Sequence, residues 1–296
     1  MIIFAARERG LLTHCSPWKG RIVSVYERAL NIRRPDGLLI SLVASREQMS
    51  ALSVQVPRLF EPRLFGPSKR QLPAGLAAGG CAGYDGRCLT AGACSVTLEG
   101  SPWFDSALRL APGTCPPKPR RTALRRSLLT RGRGGGLLSV MTPEAADNAF
   151  ARHAKKILRD AASGGPRLTG LDRLVGLGIG FTPSGDDFLA GLLLGEAMAG
   201  QTARLFLDRT GFAAALVKTN DGGRSLLYQV LEGHFPYYLI ETAAGLVSAR
   251  NAEAVDAAVA RAVRHGETSG TDTLAGLLWY LEAAAGLPEG RQANMG

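Results

Sequence analysis

Apolar and polar positions change their period along this chain. Up to about residue 100 the pattern is that of strands. "RIVSVYERALNIRR" (21–34) and "GLLISLVAS" (37–45) are apolar and β-branched, with Pro35-Asp36-Gly37 as the turn between them. "SALSVQV" (50–56) alternates, and "CLTAGACSVTLEG" (88–100) ends in another alternating run. Residues 57–86 are rich in Gly and Pro and read as loops. From Thr142 onward the period is helical. Thr142 can cap, Pro143 suits the first helical position, and Ala149, Phe150, His153, Ile157 and Leu158 follow at helical spacing. Later helices are expected over 225–232, 236–249, 252–264 and 271–285. The class implied is α+β. A β-rich domain covers 1–111, a basic Pro/Gly-rich linker 112–136, and a mainly helical domain 137–296.

The helical half contains a repeat. "SGDDFLAGLLLG" from Ser184 returns as "SGTDTLAGLLWY" from Ser269, 85 residues on and without a gap, with eight identities over the first ten positions. That is the mark of a duplicated helical unit. In each copy Ser-x-x-Asp before an apolar run is a capping-box pattern, Ser184 with Asp187 and Ser269 with Asp272. Ala190-Gly191 and Ala275-Gly276 leave little side chain, so the two helices are expected to pack closely. Glycine at 176, 178 and 180, and Asp186 beside Asp187, exceed what a cap needs. Two readings stay open: two buried, capped helices and nothing more, or two helix N-termini lining a small polar pocket. In the second reading Asp186, whose counterpart is Thr271, is the functional acid, and Asp187 is the cap. Between the copies, "KTNDGGRS" offers Thr219 and Arg224, the latter suited to bidentate binding of an oxyanion; the alternative there is a surface turn capped by Ser225.

Composition narrows the classes. A hydrophobic content of 46% with 20% charge fits a folded protein, and apolar runs break well before about 18 residues, so no membrane span is expected. The start of the chain has no secretory leader pattern, and the cytoplasm is the default. Five cysteines without C-x-x-C spacing and four scattered histidines argue against a disulfide framework or a zinc site. Asp186 and Asp187 could hold Mg²⁺ through water, although neighbours on a helix point about 100° apart, so no metal ligand is assigned. A dinucleotide fingerprint would need glycine where Phe181 stands, and no P-loop lysine follows. Lys and Arg outnumber Asp and Glu by 21 to 8 over residues 1–133 and trail by 14 to 17 thereafter. The densest basic stretch, 118–133, reads as a solvated face or linker, with an anionic partner or subunit contact as the alternative. It has no aromatic interleaving, so nucleic acid is not expected.

"LVGLGIGFTPSGDDFLAGLLLG" (174–195), followed by "TSGTDTLAGLL" (268–278), resembles the AllH family, which includes a subunit of oxamate carbamoyltransferase from allantoin catabolism. "GRIVSVYERALNI" (20–32) is similar to that family's opening strands. The resemblance implies carbamoyl transfer between an oxamate-type amide and phosphate, within an assembly of several proteins. It carries over Gly178, Gly180, Thr182, Ser184, Gly185, Asp186 and Asp187, with Ser269, Gly270 and Asp272. "TNDGGRS" departs from the family's compact Thr-x-x-Ser element, with Thr219 and Ser225 further apart. The expected tasks are phosphate and carbonyl binding by the 185–187 amides, the Thr182 and Ser184 hydroxyls and Arg224. The aspartates would accept from the carbamoyl NH₂ or cap helices. The partners implied are a small anionic or amide metabolite and other subunits. The competing expectation is a non-catalytic docking subunit.

Overall fold

The computed structural model describes residues 2–13, 15–61, 76–111, 114–144, 148–163, 167–200 and 206–285. The fold is α+β: a ten-stranded sheet in the N-terminal part and, among the described residues, eight helices after it. By Cα proximity one unit is Met1–Ala107 with His234–Tyr237, and the other holds the remainder.

The sheet is built from β1 (Ile2–Ala5), β2 (Glu8–Gly10), β3 (Trp18–Val25), β4 (Ala29–Arg33), β5 (Leu39–Val43), β6 (Ser53–Gln55), β7 (Cys81–Tyr84), β8 (Cys88–Ala91), β9 (Cys94–Thr97) and β10 (Trp103–Phe104). Their order is β1-β9-β8-β7-β3-β4-β5-β6-β2-β10. Only Ala6 and Arg7 separate β1 from β2, yet Ala6 N–H donates to Thr97 and Arg7 N–H to Gln55, on opposite flanks. The sheet is therefore curled, with its two flanks drawn together. Its interior is apolar: Ile22, Leu30, Ile32, Ile40, Leu42, Val54, Leu89 and Val96 are buried in one cluster.

Pro35-Asp36-Gly37 does turn the chain between β4 and β5, with Gly37 at φ 81° and the Asp36 carboxylate accepting from Leu38 N–H at 3.1 Å. Residues 21–34, read as one strand, are two. They reverse at Tyr26–Glu27–Arg28, which has no glycine, proline or asparagine to announce a turn, and Tyr26 N–H donates to Ala29 at 2.7 Å. β7 falls in the stretch read as loops; residues 62–75 of that stretch lie outside the described residues.

The helices are α1 (Lys118–Arg131), α2 (Ala149–Ser163), α3 (Ser184–Ala199), α4 (Arg209–Ala215), α5 (Asp221–Leu231), α6 (Tyr237–Ser248), α7 (Ala252–Ala262) and α8 (Ser269–Ala285). Four start where a side chain accepts a first-turn amide, among them α4, α5 and α7, which Asp208, Asn220 and Asn251 cap at 2.9–3.0 Å. At α2 the acceptor is Asn148, which takes Ala151 N–H at 2.8 Å, so Thr142 is not the cap expected. Most of the expected basic linker is corrected too, although Pro112 lies outside the described residues. Residues Lys118–Arg131 form a helix, with Pro117 as its N-cap residue and Pro119 in its first turn, where a missing N–H costs nothing. Ala123, Leu124 and Leu128 are buried. Arg125 grips Glu282 of α8 at 2.8 and 2.6 Å, and Arg131 grips Asp256 of α7 at 2.7 and 2.5 Å. The acids that balance this run come from helices more than a hundred residues away. No described helix is long and apolar enough to cross a membrane.

Candidate functional site

The helices α3 and α8, the two copies of the repeat, are packed against each other along their length, and glycine is what allows it. A methyl group at Gly191 would run into the Thr273 carbonyl, and one at Gly276 into the Phe188 carbonyl. Position 188 plus 85 is 273, and 191 plus 85 is 276, so the contact is reciprocal. Further along, Gly195 faces its own counterpart, Tyr280. At the other end Thr182 Oγ1 lies 3.1 Å from Ser269 Oγ. The helices therefore run parallel about a local twofold, with their N-termini side by side.

Three aspartates are buried at that end: Asp186, Asp187 and Asp272 are each at most 1% exposed. None forms an ion pair with Lys, Arg or His among the described residues. Asp186 has both oxygens engaged, one by Gly176 N–H at 2.8 Å and the other by the Thr219 hydroxyl. Asp187 accepts from Thr182 Oγ1 at 2.9 Å. Asp272 accepts from Leu137 N–H at 2.6 Å through Oδ1, while its buried Oδ2 has no hydrogen-bond partner among the described residues.

Burial raises all three carboxyls. Asp186 rises to about 6, against the pull of Thr219 and Gly176. Asp272 also rises to about 6, against Leu137 N–H and the nearby Ser184 and Thr268 hydroxyls. Asp187 also goes up: burial dominates, the Ser269 and Thr182 hydroxyls resist, and the charges of Asp272 and Asp186 push with burial. The helices thus exchange partners, Asp187 leaning on Ser269 and Asp272 on Ser184.

In the first copy the expected capping box does not form. Ser184 is already inside α3, behind Pro183, and makes no side-chain cap; the acids turn sideways to the neighbouring helix instead. Nor are the 185–187 amides free to cradle phosphate. Gly185 N–H donates to Leu177 at 2.7 Å, and Asp186 and Asp187 N–H donate to Pro183 at 2.9 and 3.1 Å. In the second copy Gly270 N–H goes to His265 at 3.0 Å and Asp272 N–H to Thr268 at 2.8 Å. The glycines at 176, 178 and 180 have φ of 75°, 116° and 106°, values that side chains rarely adopt. They fold the loop back on its surroundings: Gly176 abuts the Lys218 carbonyl, Gly178 abuts Ser184, and the Gly180 carbonyl accepts from Asn220 Nδ2 at 3.0 Å.

Of the residues singled out in the sequence, Thr182, Ser184, Asp186, Asp187, Thr219, Ser269 and Asp272 come together here, framed by Gly178, Gly180, Gly185 and Gly270. Arg224 does not join them. Its Nε donates to the Leu216 carbonyl at 3.3 Å, and no hydrogen bond ties it to the aspartates among the described residues. Among those residues no group of three or more His, Cys, Asp or Glu side chains could hold a metal ion. Two residues escaped the sequence reading. Tyr238 of α6 stacks on His265 with ring centroids 3.7 Å apart and planes 11° from parallel. The Tyr238 hydroxyl lies 3.4 Å from Thr273 Oγ1, and burial and the Asp187 charge push it well above the usual phenol range. Burial lowers His265 to about 4. The sequence signal available was His265 four residues ahead of the second copy. Nothing there pointed to Tyr238.

Residues 174–281 match the family model described as oxamate carbamoyltransferase subunit AllH. The match runs from just before Gly176 into the second half of α8, so it contains every aspartate and hydroxyl of the cluster. The opening strands lie outside it. No curated protein and no solved structure matches the chain.

Proposed function

We propose that this chain is an AllH-type subunit of a carbamoyltransferase assembly, and that the acid and hydroxyl cluster at the paired helix N-termini receives the carbamoyl NH₂ of an oxalurate-type substrate. The reaction would exchange the carbamoyl group between oxamate and phosphate in the cytoplasm, as part of purine breakdown through allantoin. One observation carries this reading: among the described residues Asp272 Oδ2 is a buried acceptor with no hydrogen-bond partner, the Ser184 and Thr268 hydroxyls standing near without closing on it. It lies beside an Asp187 that feels its charge, in a site with hydroxyls but no cation. Such a site is short of N–H donors, and a planar carbamoyl NH₂ brings two. It does not favour a bare phosphate, which the acids would repel; phosphate would have to be held elsewhere, by other residues or by another subunit.

The test is phosphate-dependent formation of carbamoyl phosphate from oxalurate by the purified chain, alone and with its partner subunits, alongside direct oxalurate binding. Asp272→Asn is the discriminating variant. Leu137 N–H keeps the amide oxygen, so the new NH₂ must point where Oδ2 stood, donor against donor. Binding is expected to weaken about tenfold or more, with the fold retained. Unchanged binding would sink the assignment.

A docking subunit without chemistry is the second reading, and it too has an observation behind it. Ile179, Phe181 and Val217 are 77%, 47% and 78% exposed in the two loops that Asn220 joins. Exposed apolar side chains gathered at one place suit a protein contact. Mixing the wild-type chain with its partner subunits separates the two readings: a docking subunit would bind them without itself binding oxalurate.

A further inference from the structure

We propose that His265 donates a hydrogen bond to the carbamoyl oxygen in this site, with the Tyr238 hydroxyl as its companion; the proposal rests on the carbamoyl-binding reading above. As a nucleophile adds to a carbamoyl carbon, the carbonyl oxygen gains negative charge and needs donors aimed at it. The first-turn amides of both helices are the obvious source, and five of them are spent. Gly185, Asp186, Asp187, Gly270 and Asp272 each donate to a backbone carbonyl. Arg224 is turned to Leu216.

Two aromatic donors stand beside the cluster. Tyr238 and His265 are half-buried and stacked face to face, and Tyr238 is near enough to Asp187 to feel its charge. The imidazole makes no hydrogen bond among the described residues, and the Tyr238 hydroxyl has only the long 3.4 Å approach to Thr273. The stack holds the ring. The His265 backbone carbonyl, accepting from Gly270 N–H, holds the residue against the start of α8.

Burial, which lowers His265 to about 4, keeps the ring neutral near pH 7, with one N–H and one lone pair. A neutral imidazole can polarise a carbonyl without setting a full positive charge beside the acids, which would otherwise form an ion pair with it and close the site. The acids would then take the NH₂ side of the carbamoyl group while His265 takes its oxygen.

The experiment is an oxalurate titration of the full chain labelled with ¹⁵N-histidine at pH 7, with His265 assigned from its His265→Gln variant. The expected result is a neutral imidazole whose N–H resonance moves on saturation. His265→Phe keeps the stack on Tyr238 but has no donor. It should weaken oxalurate binding about tenfold with an unchanged melting temperature, His265→Gln should restore part of the loss, and Tyr238→Phe should cost less than His265→Phe. If oxalurate binds the wild type and is weakened by Asp272→Asn but not by His265→Phe, the proposal falls and the carbamoyl-binding reading stands. If oxalurate fails to bind the wild type, both fall.

Discussion

Three carboxyl groups buried without a cation have to be stabilised by something else. Each N-terminus of the parallel pair α3 and α8 carries roughly half a positive charge, so together they offset about one negative charge. Asp187 and Asp272, related by the local twofold, fit that balance if they share one proton, and burial holds both carboxyls above the usual range. Asp186 has a different task. With both oxygens bound, it ties the glycine loop to Thr219, whereas the sequence reading made it the functional acid and Asp187 the cap. The motif marked the carboxyls that the fold buries together. It could not assign them, because their partners Gly176, Thr219 and Leu137 lie 10, 33 and 135 residues away. The raised carboxyl of Asp272 also predicts a pH dependence. Its folded value, about 6, exceeds its ordinary 3.8, so its contribution is fully present below pH 4 and is lost as pH rises through 6. Asn does not titrate. Between pH 4 and 8 the stability of Asp272→Asn should therefore gain on wild type by up to about 3 kcal/mol, even as oxalurate binding declines. Urea melts of both proteins across that range would show it, and a pH-independent difference would mean that Asp272 is not a buried acid.

Helices that touch backbone to backbone depend on the residues that make room. Gly191 and Gly276 each cost about 1 kcal/mol in helix propensity relative to Ala, so on propensity alone Ala should stabilise either site. The carbonyls of Thr273 and Phe188 forbid it, since a methyl group has nowhere to go without prising the helices apart. Gly191→Ala and Gly276→Ala are each expected to destabilise by about 2 kcal/mol or more, and Lys156→Ala on the exposed face of α2 serves as a control away from the interface. A rise in melting temperature for either variant would show that the parallel packing is wrong. This element was legible because the repeat kept its small residues without a gap. α1 was not legible. Its apolar positions are few, its prolines sit where a linker would have them, and its counter-charges Asp256 and Glu282 are contributed by α7 and α8. Composition can register a surplus of cations, but not the distant acids that the fold brings to them. The hairpin of β3 and β4 failed for another reason: a turn made of Tyr, Glu and Arg has no local signature, and pairing with β7 and β5 on either side decides it.

The order of segments along the chain is not the order in which the molecule is assembled. Residues 1–107 look like a separable β-rich unit, and the sequence reading drew its boundary nearby, yet four residues from the helical half belong to that unit. Phe235 N–H donates to the Ser106 carbonyl and Tyr237 N–H to the Met49 carbonyl, both at 2.8 Å. His234 Nδ1 lies 2.9 Å from Ser106 Oγ, and Phe235 is only 3% exposed. The Tyr237 ring packs at 6.3 Å from that of Phe104. A fragment ending at residue 107 therefore loses two backbone hydrogen bonds, worth about 1 kcal/mol each, and a buried aromatic worth about 2. That total, about 4 kcal/mol, is a large share of what a domain of this size has in reserve. Fragment 1–107 alone should melt at clearly lower urea than the same fragment carrying residues 233–238 on a Gly/Ser linker, with a similar slope for both. If the two melt together, the returning segment is only resting on the sheet, and the chain can be divided where its sequence suggests.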